Sequence, residues 1–312
     1  MTERTPDLYG QATARNIGLI SEAEQEKLRH STVAIAGMGA VGGNYVLTLA
    51  RLGVQRFIIA DGDVFEPANL HRQAGAFTST LGRNKAEVMA EMARDINPKA
   101  EIRVFQEPVT ESNVDAFLNG ADVVVDGIDF FQMDARRMLF RKAREKELFV
   151  LSSGPMAYGA TLQVFDPHGM SFDEYFGIRP DMTRAQRLAC FMVGLLSHLP
   201  KGRAIDMSRV DIEGEKGPAL APSVMLCAGI MGLEVLRVLL KRNGLRCVPH
   251  VFYCDPLGHT FARRCHRRGL VRWLDKLRRR MIFRHLPALT AMHRREMEQR
   301  APADGLLNAA KI

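Results

Sequence analysis

A glycine-rich stretch near the amino terminus has the spacing needed to bring backbone N–H groups close to a phosphate. Gly37, Gly39 and Gly42 form a Gly-X-Gly-X-X-Gly pattern between an apolar β-branched run and a helical pattern. Glycine allows the backbone to approach a ligand, and the positive end of the following helix favours an anion. Asp61 ends the next apolar run, where a carboxylate can accept hydrogen bonds from ribose hydroxyl groups. A turn role beside Gly62 is the alternative for Asp61.

The residues that follow suit chemistry on a triphosphate. Asn69, Arg72 and Gln73 belong to an Asn-Leu-His-Arg-Gln run, and Lys85 lies twelve residues after its end. The planar guanidinium of Arg72 and the point charge of Lys85 match the charge that develops during phosphoryl or nucleotidyl transfer. The alternative is that Arg72 is a surface cation and that Lys85 only begins a helix.

Two carboxylates end a later apolar run, Val-Val-Val-Asp-Gly-Ile-Asp. Because ligands of doubly wound folds bind at the carboxyl edge of the sheet, Asp126 and Asp129 are expected opposite the phosphate pocket. Oxygen ligands suit Mg²⁺, which usually bridges to substrate phosphates. We assign Asp129 to the metal and Asp126 to its support, with a purely structural role as the alternative for Asp126.

Short β-branched runs alternate with helical patterns in the first half of the chain, which indicates a parallel sheet with crossover helices. The predicted strands are 33–36, 57–60, 102–105, 123–126, 149–152 and 160–165, and the predicted helices are 41–52, 85–96, 112–118, 133–146, 183–199 and 222–240. A hairpin is expected at 251–264. The predicted fold class is therefore α/β, a doubly wound, Rossmann-like, mostly parallel sheet with an antiparallel carboxyl-terminal hairpin.

Composition divides the chain into an amino-terminal arm (1–30), a central domain (31–262) and a tail (263–312). The central domain includes an irregular crossover region at 166–220. Within it, residues 169–187 are polar and aromatic, and they could form a lid or a substrate groove. An exposed loop is an equally good alternative.

The overall composition is that of a globular protein, since 46% of the 312 residues are apolar. The five cysteines include no Cys-X-X-Cys pair, which argues against a disulfide framework and a four-cysteine zinc site. The amino terminus lacks the layout of a secretory signal. No run reaches about 18 uninterrupted apolar residues, and the closest is 224–233. We expect a cytoplasmic protein.

The positive charge is concentrated in the tail. Residues 263–312 contain 14 Lys and Arg but 4 Asp and Glu, whereas residues 1–262 contain 29 and 31. An amphipathic helix is predicted there, with an apolar face of Leu270, Trp273, Leu274, Leu277 and Met281 and with cations at Arg272, Lys276, Arg279 and Arg280. We rank packing on the protein's own body first, peripheral contact with a membrane surface second and contact with nucleic acid last.

These motifs, in this order over residues 9–264, resemble the ThiF/MoeB family, the bacterial relatives of ubiquitin-activating enzymes. The resemblance rests on the glycine loop, Asp61-Gly62-Asp63, residues 69–73 and 82–85, Ile128-Asp129, the apolar helix and the hairpin. It implies an ATP-dependent adenylation domain at 31–262. The ATP-binding set would be Gly37, Gly39, Gly42, Asp61, Asp63, Asn69, Arg72, Gln73 and Lys85, and the catalytic set would be Arg15, Arg72, Lys85 and Asp129.

The family pattern also assigns individual roles. Asp61 would bind the ribose, Asn69, Arg72 and Lys85 the phosphates, and Asp129 the Mg²⁺ ion. The family opens with an Arg-Gln pair that reaches into the ATP site of a dimer partner. Here the pair is Arg15-Asn16, so the resemblance predicts a homodimer in which Arg15 acts in trans.

Two departures from the family pattern matter. The zinc-binding Cys-X-X-Cys pairs are absent, so no zinc is predicted. Phe130-Phe131 follows Asp129 where the family has Asn, which changes the surroundings of the metal. In addition, Cys190 lies among apolar neighbours, so we predict a buried, inert thiol rather than one that forms a thioester.

The reaction implied by the resemblance is attack of a substrate carboxylate on the α-phosphate of ATP, with loss of pyrophosphate. Because a carboxylate is already a nucleophile at neutral pH, the site needs positioning and charge stabilisation more than a general base. The expected acyl substrate is the carboxyl terminus of a small ubiquitin-like or sulfur-carrier protein. A carboxylate on a tRNA nucleoside or on a peptide is the alternative.

Two other functional classes stay open at this point. A nicotinamide-dependent oxidoreductase explains the glycine loop and Asp61 but gives no role to Arg72, Lys85 or Asp129. A non-catalytic nucleotide-sensing scaffold would follow if Phe130 marks a degraded metal site.

Overall fold

The computed structural model describes residues 8–196, 205–267, 269, 270 and 273–309. The helices are α1 (Leu8–Thr13), α2 (Glu22–His30), α3 (Ala40–Leu52), α4 (Lys85–Ile96), α5 (Val114–Leu118), α6 (Met133–Glu145), α7 (Phe172–Phe176), α8 (Arg184–Leu196), α9 (Ala221–Leu239), α10 (Trp273–His285) and α11 (Pro287–Ala309). The strands are β1 (Thr32–Ala36), β2 (Arg56–Ala60), β3 (Glu101–Phe105), β4 (Val123–Asp126), β5 (Val150–Ser152), β6 (Pro155–Met156), β7 (Gly159–Phe165), β8 (His250–Asp255) and β9 (Thr260–Cys265).

The strands pair in the order β3-β2-β1-β4-β5-β7-β8-β9, and β6 pairs with β7. Strands β1 to β5 are mutually parallel, and β7, β8 and β9 continue the sheet in antiparallel pairs. The predicted fold class is therefore confirmed. The strand order reverses between β1 and β4, and the crevice at such a reversal is where doubly wound sheets bind ligands.

Helices cover both faces of the parallel strands, which explains why these strands are apolar throughout. In β1, Val33 and Ile35 pack into a cluster with α3, α4 and α9. Ala34 and Ala36 pack on the other face, into a cluster with α5, α6, α7 and α8. The two layers hold the strand ends in fixed positions, and the polar residues that follow β1, β2 and β4 consequently meet at one edge.

Helix α9 is long and apolar enough, by length and composition, to cross a membrane, and among the described residues it alone passes that test. It is longer than the 224–233 run identified in the sequence. Half of its apolar window is buried within the protein, where Cys227, Met231 and Val235 belong to the core beneath α3. Its apolar character is therefore accounted for by packing in the core.

Residues 171–178 form a short helix and its two ends, so the exposed-loop alternative is wrong for this part of 169–187. The lid or substrate groove stays a prediction. Ser171 caps α7 by accepting a hydrogen bond from the backbone N–H of Glu174. Phe172, Tyr175 and Phe176 are buried, at a spacing that places them on one side of the helix. The polar residues between these rings belong to the exposed side, which gave the segment its polar appearance.

The tail packs against α8, the use ranked first from the sequence. Leu270, Leu286 and Leu289 are buried, but Leu277 and Met281 are 45% and 50% exposed. The predicted apolar face is therefore wrong at these two positions. Arg272 and the side chains of Trp273 and Leu274 lie outside the described residues.

A polar contact explains this rotation of α10. Arg279 points inward, where its guanidinium donates to the carbonyl oxygens of Gly177 and Leu270 and to Cys190 Sγ. Asp275, one turn earlier, is also buried. Because Arg279 faces α8, Leu277 and Met281 face outward.

Candidate active site

The glycine loop occupies a space in which side chains do not fit. Gly37 has φ +89°, and a Cβ there would lie 2.2 Å from the carbonyl oxygen of Gly127. A Cβ at Gly42 would lie 1.8 Å from the carbonyl oxygen of Gly37. Gly39, at the start of α3, is open instead, since its nearest neighbour would be Gln73 Nε2 at 3.8 Å. The first N–H groups of α3 are thus left accessible to an anion.

Asp61 lies beside this loop, at the end of β2. Its Oδ2 accepts the backbone N–H of Met38 at 2.6 Å, and its Oδ1 accepts that of Asp63 at 2.8 Å. Burial raises the pKa of Asp61, and these two hydrogen bonds partly offset the effect. A carboxylate has further lone pairs for ribose hydroxyl groups. The turn role and the predicted ribose role are therefore compatible.

Lys85 begins α4 but also faces the site. Asn84 caps the helix by accepting the backbone N–H of Glu87. The buried Lys85 side chain donates from Nζ to Asp63 Oδ2 at 2.8 Å. Burial raises the pKa of both Asp61 and Asp129, and the positive charge of Lys85 offsets part of that rise. The same cation therefore acts on the ends of both β2 and β4.

The Asn-Leu-His-Arg-Gln run lies beside the glycine loop, because Gln73 Nε2 is the nearest neighbour that a Cβ at Gly39 would have. Arg72 Nη1 donates to the carbonyl oxygen of Ala68 at 2.8 Å, which leaves most of its guanidinium hydrogens for a ligand. Asn69 is buried, and its side-chain oxygen accepts the backbone N–H of Glu66. Gln73 Oε1 is buried without a hydrogen-bond partner in the structure. An unpartnered polar atom beside a glycine loop suits a site completed by a ligand.

Asp126 makes its contacts within the protein. Its Oδ2 accepts Arg136 Nε at 2.9 Å and Ser152 Oγ at 2.8 Å, and its Oδ1 accepts the backbone N–H of Ile128. Both members of the Asp126–Arg136 ion pair are buried. Arg136 also donates to the carbonyl oxygens of Ile128 and Phe130. The pair therefore fixes the loop that carries Asp129.

Asp129 presents its carboxylate at the end of this loop. Its Oδ1 accepts the backbone N–H of Phe131 at 2.9 Å, and burial raises its pKa. Phe130, which replaces the Asn of the family pattern, packs against Phe191 and Phe131 with ring centroids 5.2 and 5.1 Å apart. Phe130 thus contributes to the core beside the loop that carries Asp129.

A magnesium ion fits this set of donors, because Mg²⁺ is commonly held by one or two carboxylates together with substrate phosphates. Asp129 supplies one such carboxylate. Within the ranges that the structure describes, no group of three or more His, Cys, Asp or Glu side chains is arranged to hold a metal by itself. Any metal here would consequently depend on phosphate oxygens for its remaining ligands.

Arg15 is not brought together with the other predicted residues in this chain. It is exposed in a short turn, Ala14–Asn16. Asn16 Nδ2 donates to the carbonyl oxygen of Leu52 at 3.2 Å, and Leu52 ends α3. A helix of 13 residues spans about 20 Å, so Arg15 lies at the opposite end of α3 from Gly39.

Cys190 is buried on α8, as predicted. Its Sγ lies 2.9 Å from Arg279 Nη1. Burial raises the pKa of the Cys190 thiol, and the positive charge of Arg279 offsets part of this. A buried thiol with a raised pKa is a poor nucleophile.

Three polar residues near the site were not found from the sequence: Arg136, Arg184 and Glu215. Arg136 carried a signal, because it is a cation within the apolar stripe that Met133, Leu139 and Phe140 form on α6. Such a position usually requires a buried partner. Arg184 and Glu215 carried none, since Arg184 is one charged residue at the start of the predicted helix 183–199 and Glu215 lies in a polar, irregular segment.

The fold and this arrangement of side chains define a protein of the doubly wound α/β class with a glycine loop and charged side chains where the strand order reverses. A family model described as the ThiF family matches residues 13–269, and the chain belongs to this family. The resemblance found in the sequence is thus confirmed.

Two relatives illustrate the range of named proteins similar to this chain. The tRNA threonylcarbamoyladenosine dehydratase of Bacillus subtilis is 37% identical over 117 residues, which cover 37% of this chain and 46% of that protein. The SAMP-activating enzyme E1 of Haloferax volcanii is 36% identical over 107 residues, which cover 34% of this chain and 40% of that protein. The chain spans less than half the length of these two relatives.

Solved structures share the fold. The crystal structure of PaaA superimposes with a TM-score of 0.63 at 18% identity, covering 85% of this chain and 75% of that one. Escherichia coli MccB with ATP superimposes with a TM-score of 0.59 at 17% identity, covering 81% and 69%. At these identities the similarity establishes the common fold.

Proposed function

We propose that the protein is an ATP-dependent adenylyltransferase that activates a carboxylate as an acyl adenylate and releases pyrophosphate. The observation that carries this proposal is the position of Lys85, a buried cation whose Nζ donates to Asp63 Oδ2 at 2.8 Å, just beyond the carboxyl end of β2. A nicotinamide-dependent oxidoreductase has no need of this cation. The name of the Haloferax volcanii relative, an activating enzyme, and the ATP complex of MccB support the same choice.

Each residue of the site has its own role in the proposed reaction. The glycine loop and the start of α3 would hold phosphates, Asp61 the ribose, and Arg72 and Lys85 the negative charge that develops on the departing pyrophosphate. Asp129 would hold Mg²⁺, which neutralises phosphate charge when bound. No general base is required, since the attacking carboxylate is already ionised.

We further propose that the carboxylate belongs to the end of a small ubiquitin-like or sulfur-carrier protein. The name of the Haloferax volcanii relative supports this class of substrate. The sheet topology also supports it, because four exposed apolar side chains lie at or near the same edge of the sheet as the site, by its antiparallel strands: Tyr158, Leu220, Leu257 and Phe261. Exposed apolar side chains grouped at one place are typical of a protein-docking surface.

ATP–pyrophosphate exchange tests the proposal. We expect Mg²⁺-dependent exchange that requires an added carboxylate and that is fastest with a small ubiquitin-like protein that has a free carboxyl terminus. The same protein with an amidated carboxyl terminus is the matched control and should give none. Exchange with a threonylcarbamoyladenosine-containing tRNA, and not with the protein, would identify the tRNA nucleoside as the substrate. Tight ATP binding with no exchange on any carboxylate would favour the nucleotide-sensing scaffold.

The homodimer gives a separate prediction. If Arg15 completes the site of a partner subunit, then Arg15→Ala and Lys85→Met should each be inactive alone. Mixed after dissociation, they should recover about a quarter of the wild-type exchange rate, because random pairing leaves half the dimers with one intact site. No recovery, despite mixed dimers detected by native mass spectrometry, would place Arg15 in its own chain's site or outside catalysis.

A further inference from the structure

A tight turn carries a carboxylate of the protein itself to the candidate active site. Asp211 and Lys216 close the turn with two backbone hydrogen bonds of 2.8 and 2.9 Å. Glu215, at the turn, accepts Arg184 Nη2 through Oε1 at 2.5 Å and Gln132 Nε2 through Oε2 at 2.6 Å. Both Glu215 oxygens are therefore engaged, one of them by a cation.

This ion pair lies beside the Asp129 loop. Arg184 Nη2 is also 3.5 Å from the carbonyl oxygen of Phe131, whose backbone N–H is bound by Asp129. Gln132, the next residue, bonds Glu215 directly. The negative charge of Glu215 contributes to the raised pKa of Asp129. Asp129 and Arg184 thus both bond the backbone of Phe131, and Glu215 bonds the side chain of the next residue.

The Arg184–Glu215 pair is open to exchange. The two side chains are 40% and 33% exposed, and exposed ion pairs are held only weakly. Arg184 itself is firmly placed at the first position of α8. The backbone N–H of the next residue, Ala185, donates to Glu296 of α11, and the preceding Thr183 bonds His293 of α11 at 2.9 Å.

We propose that Arg184 binds the carboxylate of the substrate, and that Glu215 takes the place of that carboxylate when no substrate is bound. The identity of the ligand as a carboxylate rests on the proposed function. The present occupant has the same chemistry, a planar carboxylate that a guanidinium recognises. Arg72 and Lys85 are the cations that the proposed function assigns to the phosphates, which leaves Arg184 for the carboxylate.

A kinetic test uses N-acetylglycine as a minimal carboxylate in ATP–pyrophosphate exchange. Glu215→Gln should lower the KM for N-acetylglycine about fivefold, because the competing charge is removed. Arg184→Gln should raise it about 50-fold, and Arg184→Lys should recover part of the loss. The Kd for Mg·ATP should be the same in all three. Glu213→Gln, in the same turn but paired with Arg295, and Arg179→Gln, in an exposed pair with Asp181, are the matched controls.

A second measurement does not depend on catalysis. Phenylglyoxal modifies accessible arginines, and mass spectrometry of the peptide that contains Arg184 reports the rate at that residue. Modification should be slow in the wild type and faster in Glu215→Gln. N-acetylglycine should slow it again in that variant, and Mg·ATP alone should not.

The two measurements separate the two proposals. If N-acetylglycine protects Arg184 but supports no exchange, the result contradicts the proposed adenylation of this carboxylate and supports carboxylate binding at Arg184. If Mg·ATP protects Arg184 and N-acetylglycine does not, Arg184 binds phosphate and the inference is overturned. An unchanged KM in Glu215→Gln, together with unchanged modification of Arg184, would equally overturn it.

Discussion

Replacement of Arg136 by methionine is expected to lower the free energy of unfolding by about 3–5 kcal/mol, the usual effect of removing one partner from a buried ion pair. Arg136 and Asp126 are both buried. Without the guanidinium, the Asp126 carboxylate keeps only Ser152 Oγ and the backbone N–H of Ile128 as donors. The carbonyl oxygens of Ile128 and Phe130 lose their donor as well.

Urea unfolding followed by circular dichroism measures this change. Arg141→Met is the matched control on the same helix, because Arg141 is half exposed and pairs with Glu111 and Glu145 at the surface. Its effect should be below about 1 kcal/mol. Adding Asp126→Asn to Arg136→Met should restore part of the stability, since the isolated charge is then gone. Equal effects for Arg136→Met and Arg141→Met would show that the buried pair does not hold the loop.

The largest effect on activity is expected at Lys85. Lys85→Met should reduce ATP–pyrophosphate exchange about 100- to 1,000-fold, the range found when a preorganised stabilising group is removed. The fold should survive, because the partner of Lys85 is Asp63, whose side chain is 75% exposed and can be solvated by water. The decline should therefore come from lost charge stabilisation rather than from unfolding.

Exchange kinetics and thermal unfolding, measured on the same preparation, check this prediction. Lys99→Met is a suitable control, since Lys99 is an exposed lysine just beyond the end of α4. It should match the wild type in both measurements. A Lys85→Met protein that retains most of its exchange rate would remove the observation on which the proposed function depends.

Local chemistry made much of this fold predictable. The glycine loop could be located because a left-handed residue at Gly37 and two backbone contacts without room for a Cβ leave glycine as the only choice. The parallel strands could be located because burial on both faces requires continuous apolar runs. Asp61 and Asp129 come just after strands of this sheet, and Lys85 begins the helix α4. The order of the strands therefore places these residues at one edge of the sheet.

Other parts depend on contacts between distant segments. The direction in which α10 faces is decided by Arg279, whose partners Gly177 and Cys190 are about 90 to 100 residues away in sequence. Residues 171–178 have the composition of a surface segment, but the ring of Phe172 packs against aromatic rings of α6 and α8. Glu215 comes to the site by way of a turn that contains no motif. Periodicity within one segment carries no information on such pairings.

The contacts between α11 and the start of α8 have a thermodynamic consequence. Glu296 and His293 hold the residues on either side of Arg184, and Arg295 pairs with Glu213 in the turn that carries Glu215. The tail and the carboxylate position therefore form one coupled equilibrium. A molecule that binds α11 more tightly in one arrangement of these contacts must change the affinity of Arg184 for its anion, and the anion must change the affinity of the tail for that molecule by the same factor.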